Sequence, residues 1–188
     1  MVSLLPLYLG MVGLLAGERL VELVLSRRNA HRALARGAME HGRGHYPAMV
    51  AFHALFLVAA ASEALSHPAP PPAAALVAVA GVLLAQALRW WAVSALGDRW
   101  STRILVVPGE PPVTLGPYRF LRHPNYLAVI LEMACVPLAW GSWRTALAFS
   151  AGNALLLAIR IPSEERALGP AYAEALAGRP RLLPGGRR

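Results

Sequence analysis

Apolar residues gather along this 188-residue chain in five long blocks, at about 3–25, 46–66, 72–97, 124–140 and 143–161. A bilayer core asks for ~20 residues of helix, so the third block is comfortably long and the last two are slightly short. The pattern predicts an all-α integral membrane protein of about five transmembrane helices. It forms one domain, with a three-span part over 1–97 and a second part over 98–188. The opening "MVSLLPLYLGMVGLLAG" has no positive start and no evident cleavage site, so it reads as a retained first span.

Between the blocks, "SRRNAHRALARGAMEHGRGHYP" predicts a short basic helix lying along the inner surface and ended by Gly42 and Gly44. The 98–123 segment is a long, turn-rich loop with a small apolar patch at Ile104–Val107, and its aromatic and apolar content argues for order. "SEERALGPAYAEAL" at 163–176 predicts a separate cytoplasmic helix, starting at Ser163 with Glu164 and Glu165 opposing the dipole and interrupted near Gly169 and Pro170.

Charge then orients the spans. All 18 basic residues are arginine. They crowd the loop between blocks one and two (Arg27, Arg28, Arg32, Arg36, Arg43), the loop between three and four (Arg99, Arg103, Arg119, Arg122), and the tail (Arg166, Arg179, Arg181, Arg187, Arg188). "SHPAPPP" has none, and the 141–144 turn has only Arg144. The positive-inside rule puts the N-terminus outside, with both basic loops and the C-terminus in the cytoplasm. Arginines set between apolar runs, in a chain 56% apolar and 15% charged, do not form the solvated basic face that a nucleic-acid partner needs. The single cysteine, Cys135, excludes an intrachain disulfide. His41 and His45 flank Gly42 and Gly44, a poor frame for a metal, and no metal is expected.

Polar groups inside the blocks are candidates for chemistry, because they are costly there. Glu18 and Glu22 share a helix face and can be neutralised by Arg19 near the inner end of span one. Arg89, on one face with Gln86, is expected to snorkel to the cytoplasmic surface. Glu132 lies eight residues into block four, one heptad after Asn125, and needs a partner in another span or a wet pocket. His123–Pro124 reads as a helix start whose exposed N–H groups could hold an anion.

"GPYRFLRHPNY" at 116–126, followed beyond a helical hairpin by Arg160, Ile161, Glu164, Glu165 and "GPAYAEAL", resembles the isoprenylcysteine carboxyl methyltransferase family. The likeness is strongest over about the last 90 residues, while "ERLVELVLSRRNAHR" looks like a bacterial branch similar to alkylpyrone O-methyltransferases. It implies a membrane enzyme that binds S-adenosyl-L-methionine in a cytoplasmic pocket built from the 98–123 loop, the last two spans and the C-terminal helix. It implicates Leu105, Val106, Val107, Tyr118, Arg122, His123, Pro124, Tyr126, Glu164 and Glu165 in cofactor binding. Arg160 would position the acceptor; Glu132, the other catalytic candidate, would serve as a base only for an ammonium acceptor. The implied partner is a lipophilic or lipidated acceptor methylated on a carboxylate or acidic hydroxyl. A phospholipid or amine N-methyltransferase shares the cofactor motifs. An NADPH-dependent sterol-type reductase shares the RHPNY element, but calls for an acid where this chain has Val129.

Overall fold

Proline opens four of the five long helices, where its missing N–H costs no hydrogen bond. In the computed structural model, which describes residues 4–183, these are α1 (Leu5–Ala35), α2 (Tyr46–Ser66), α3 (Pro72–Leu96) and α4 (Pro124–Leu138), followed by α5 (Trp143–Ala175). The first residue of the opening block, Ser3, and the tail arginines Arg187 and Arg188 lie outside the described residues.

Two boundaries differ from expectation. The basic stretch after span one is not a separate surface helix, because α1 runs unbroken for 31 residues. Nothing stops it before Gly37, whose φ of +84° lets the chain close a Schellman motif: the Gly37 N–H reaches the Leu34 carbonyl at 2.9 Å and the Ala38 N–H the Ala33 carbonyl at 3.0 Å. Likewise Ser163 does not begin a new helix. Pro162 removes one donor, yet α5 continues through it, and the Ser163 hydroxyl bonds back to the Ile159 carbonyl at 2.7 Å. The interruption falls at Gly169, with φ 72° and ψ −167°, before Pro170.

Among the described residues, three helices are long and apolar enough to cross a bilayer: Arg43–Ser66, Pro72–Arg99 and Trp143–Ala175. α4 is apolar but has 15 residues, and α1 carries Glu18, Arg19 and Glu22 in its middle. α4 is the centre of the bundle, lying against both α3 and α5. Small residues let α3 and α4 approach: Ala85, Ala92 and Ala128 are fully buried, and a side chain on Gly81 would strike the Cys135 thiol. Tyr8, Val12, Phe56, Val82, Val129, Met133 and Val136 fill the core that α1, α2, α3 and α4 share.

The loops sort by end. A short antiparallel pair that the sequence does not announce, β1 (Met39–His41) with β2 (Ile104–Val106), ties the first basic loop to the second, with Glu40 opposite Leu105. The tail then bonds to Arg122 and His123 at this same end. At the other end Glu63 of α2 caps α5, accepting from the Thr145 N–H at 2.7 Å and its hydroxyl at 2.6 Å.

Candidate active site

The site grows from the basic end of the bundle. α1 extends past the apolar zone, and its last turns hold the 98–123 loop. Asn29 donates to the Trp100 carbonyl at 2.8 Å, and the Ser26 hydroxyl accepts the Thr102 N–H at 3.0 Å. Both side chains are buried, so the loop is fixed at Thr102. The Thr102 carbonyl in turn accepts from Nη2 of Arg160 on α5. Arg160 is buried, and its Nε donates to the Tyr126 hydroxyl on α4 at 2.9 Å. That hydroxyl donates to Glu164. One guanidinium therefore joins α5, α4 and the loop, and its Nη1 has no hydrogen-bond partner among the described residues.

A second group lies one turn away. His123 is buried, stacks on Tyr126 with ring centroids 5.3 Å apart, and places Nε2 3.1 Å from Oε1 of Glu165. A carboxylate only accepts, so this contact puts a proton on Nε2. Glu165 also holds Arg181 of the tail in a two-pronged pair at 3.0 and 2.6 Å. Tyr172, beyond the Gly169 break, donates to the Arg122 carbonyl at 3.2 Å.

The tail forms a strap over these residues. The Arg122 N–H meets the Pro180 carbonyl at 2.9 Å and the His123 N–H meets the Arg181 carbonyl at 3.0 Å. Arg122 Nε donates to the Arg179 carbonyl at 2.8 Å, and Arg179 donates to the Tyr118 carbonyl at 2.6 Å. The main-chain N–H groups of Arg122 and His123, just before α4, are thus occupied by the strap. The Nη groups of Arg122 remain. Tyr118 is buried in the turn at Gly116–Arg119, and burial, with Glu164 nearby, pushes its phenol well above the usual range, so it stays protonated. Leu105, Val106 and Val107 are half-buried, and their strand borders α5.

Of the residues nominated from sequence, Tyr118, Arg122, His123, Pro124, Tyr126, Arg160, Glu164 and Glu165 come together. Glu132 does not join them: it bonds to Arg89 deeper in the bundle. Arg89 does not snorkel either, being 4% exposed and paired with Glu132 and, at 3.5 Å, with Glu22. The carboxylates around it remove the reason to reach for water. Thr102, Tyr172, Arg179 and Arg181 went unassigned. The last two read as ordinary tail charge, and no local pattern marks them as partners of Arg122 and His123.

Beside this group an apolar groove of about 450 Å³ runs between α4 and α5, lined by Ile130, Ala154, Leu157, Ala158 and Ile161 and bounded at its basic end by Arg181 and Leu182. Leu157, Ile161 and Leu182 pack around the Tyr126 ring, so groove and polar group share a wall.

The model of the isoprenylcysteine carboxyl methyltransferase (ICMT) family matches residues 76–170, which span α3, the loop, α4 and most of α5. The chain is 39% identical over 158 residues to the protein of Bacillus subtilis (strain 168) named "Uncharacterized protein YpbQ", covering 84% of this chain and 94% of that one. It is 26% identical over 158 residues to an uncharacterized protein of Haemophilus influenzae, covering 84% and 92%.

Proposed function

Because the chain belongs to the isoprenylcysteine carboxyl methyltransferase family, a family of membrane methyltransferases, we propose that it transfers a methyl group from S-adenosylmethionine to an oxygen of a lipophilic acceptor. In this reading α1–α5 all traverse the cytoplasmic membrane of a bacterium, with the strap and both basic loops on the cytoplasmic side. The observation that carries it is the convergence of His123, Tyr126, Arg160, Glu164 and Glu165 beside a groove open to apolar chains.

The residues present fit the cofactor's chemistry. The amino group and ribose hydroxyls need acceptors; among the described residues Glu164 has one donor, Tyr126, and the buried Oδ1 of Asn125 has no partner. The carboxylate needs a cation, and the Nη groups of Arg122 supply one. Tyr118 and Tyr126, with Leu105, Val106 and Val107, give the adenosyl part apolar walls. His123 and Pro124 set the start of α4 from which Tyr126 projects.

When bound, S-adenosylmethionine would supply a sulfonium methyl open to in-line attack by an anionic oxygen, the O–C bond forming as the C–S bond breaks and S-adenosylhomocysteine leaves. The protein's part is to hold the partners and exclude water, since the charges cancel as the bond forms. Arg160 does this for the acceptor through Nη1, steadied from two sides by Tyr126 and Thr102. The acceptor's chain lies in the α4–α5 groove. A carboxylate or acidic hydroxyl arrives ionised and calls for no base, so Glu132 can stay paired with Arg89.

Membranes containing the protein, incubated with methyl-labelled S-adenosylmethionine, should yield label in the lipid extract. Label released by mild base identifies a carboxyl ester, and base-stable label on oxygen identifies an ether. Label on nitrogen would replace this reading with amine methylation, and no transfer to any lipid fraction would count against it.

A further inference from the structure

Seven polar side chains from four helices meet inside the bundle, apart from the site above. α1 contributes Glu18, Arg19 and Glu22, α2 contributes His53, α3 contributes Gln86 and Arg89, and α4 contributes Glu132. Arg19 lies 2.8 Å from Glu18, 2.9 Å from Glu22 and 3.7 Å from Glu132. Arg89 bonds to Glu132 and stands 3.5 Å from Glu22, while Gln86 donates to Glu18. The Nδ1–H of His53 donates to the Met49 carbonyl at 2.8 Å, and in the neutral ring Nε2 is then an acceptor that adds no charge to the cluster.

Three carboxylates therefore face two guanidiniums, an excess of one negative charge. A buried ionised group costs several kcal/mol unless it is paired, and in lipid no bulk water can make up the difference. Two deeply buried atoms of the cluster lack hydrogen-bond partners among the described residues. Glu22 is 3% exposed and its Oε1 has no partner; Arg89 is 4% exposed and its Nε has none. On the side of the cluster formed by Arg19, His53 and Glu132 lies a cavity of about 20 Å³. That is room for about one water, with polar partners on three sides.

We propose that this cluster is a proton-binding site that carries one proton at neutral pH, on the carboxyl of Glu22. Glu22 is the most buried of the three acids, and a neutral carboxyl there leaves two carboxylates balancing two guanidiniums.

The test is infrared spectroscopy of the full chain in lipid nanodiscs at neutral pH, reading the carbonyl band of a protonated carboxyl and its shift in heavy water. The wild type should show one such band. Glu22→Gln should lose it, and so should Glu18→Gln or Glu132→Gln, because any one amide restores the balance. Arg19→Gln, on the less buried arginine, should add a second band. A wild type with no protonated carboxyl overturns the proposal, whether the balancing charge then proves to be a cationic His53 or a sodium ion that raises the melting temperature. A band that survives all three amide variants overturns it as well. The isosteric amides keep the side-chain volumes, so if one variant fails to fold the other two still decide.

Discussion

Replacing Arg89 by leucine is expected to destabilise the bundle by about 3–5 kcal/mol, the usual cost of removing one partner from a buried ion pair. Arg89 stands between Glu22 and Glu132 with almost no exposure, so no water takes its place. It also joins α3 to α1 and α4 at once, and its loss frees the contact at the centre of the fold. The companion substitution sets the cause apart from lost packing. Arg89→Leu with Glu132→Leu exchanges the pair for apolar groups and should recover most of the loss, because apolar replacement of a whole buried pair is often neutral. Unfolding titrations in detergent read both. A single variant within about 1 kcal/mol of wild type would show that the pair does not hold the helices, since that is the range of exposed ion pairs.

Arg160→Ala should lower methyl transfer by about 100-fold or more, the scale seen when one preorganised donor is removed from an active site. The side chain is spent on geometry as much as on charge. Nε fixes the Tyr126 hydroxyl at 2.9 Å and Nη2 fixes the Thr102 carbonyl, so the alanine variant loses the acceptor's cation and loosens the loop beside it. Lysine should not rescue it, because a single ammonium cannot serve two directions set by a planar fork. Steady-state rates against the labelled acceptor decide the matter. Rescue by lysine would reduce Arg160 to a positive charge, and a wild-type rate in the alanine variant would remove it from the reaction.

Much of the fold was legible because the helix starts are written locally. Pro47, Pro72 and Pro124 sit where apolar runs begin, and α2, α3 and α4 start within a residue of them. The length of α1 was not, since a change from apolar to basic residues alters what a helix faces without ending it. Ser163 misled in the opposite sense: followed by Glu164 and Glu165 it has the pattern of a helix cap, yet Tyr126 and His123 hold those two acids and keep the turn within α5. The site residues followed from a resemblance carried by two motifs, and the structure brings those motifs together. What it adds is long-range: the strap at 179–182 on Arg122 and His123, the three-residue strand pair between distant loops, and the charge cluster drawn from four helices. Each joins positions whose local patterns are ordinary, so no window of sequence contains the signal.

The most direct measurement is calorimetric binding of S-adenosylhomocysteine, and separately of NADPH, to the purified protein in detergent, with His123→Ala beside the wild type. His123 links Tyr126 to Glu165 and the strap, so its loss should undo the pocket without touching the deeper cluster. The account predicts S-adenosylhomocysteine binding in the micromolar range, weakened at least about tenfold in the variant, a change of roughly 1.4 kcal/mol, and no heat from NADPH. Binding of NADPH alone would contradict the methyltransferase site and make these residues the nicotinamide pocket of a membrane reductase.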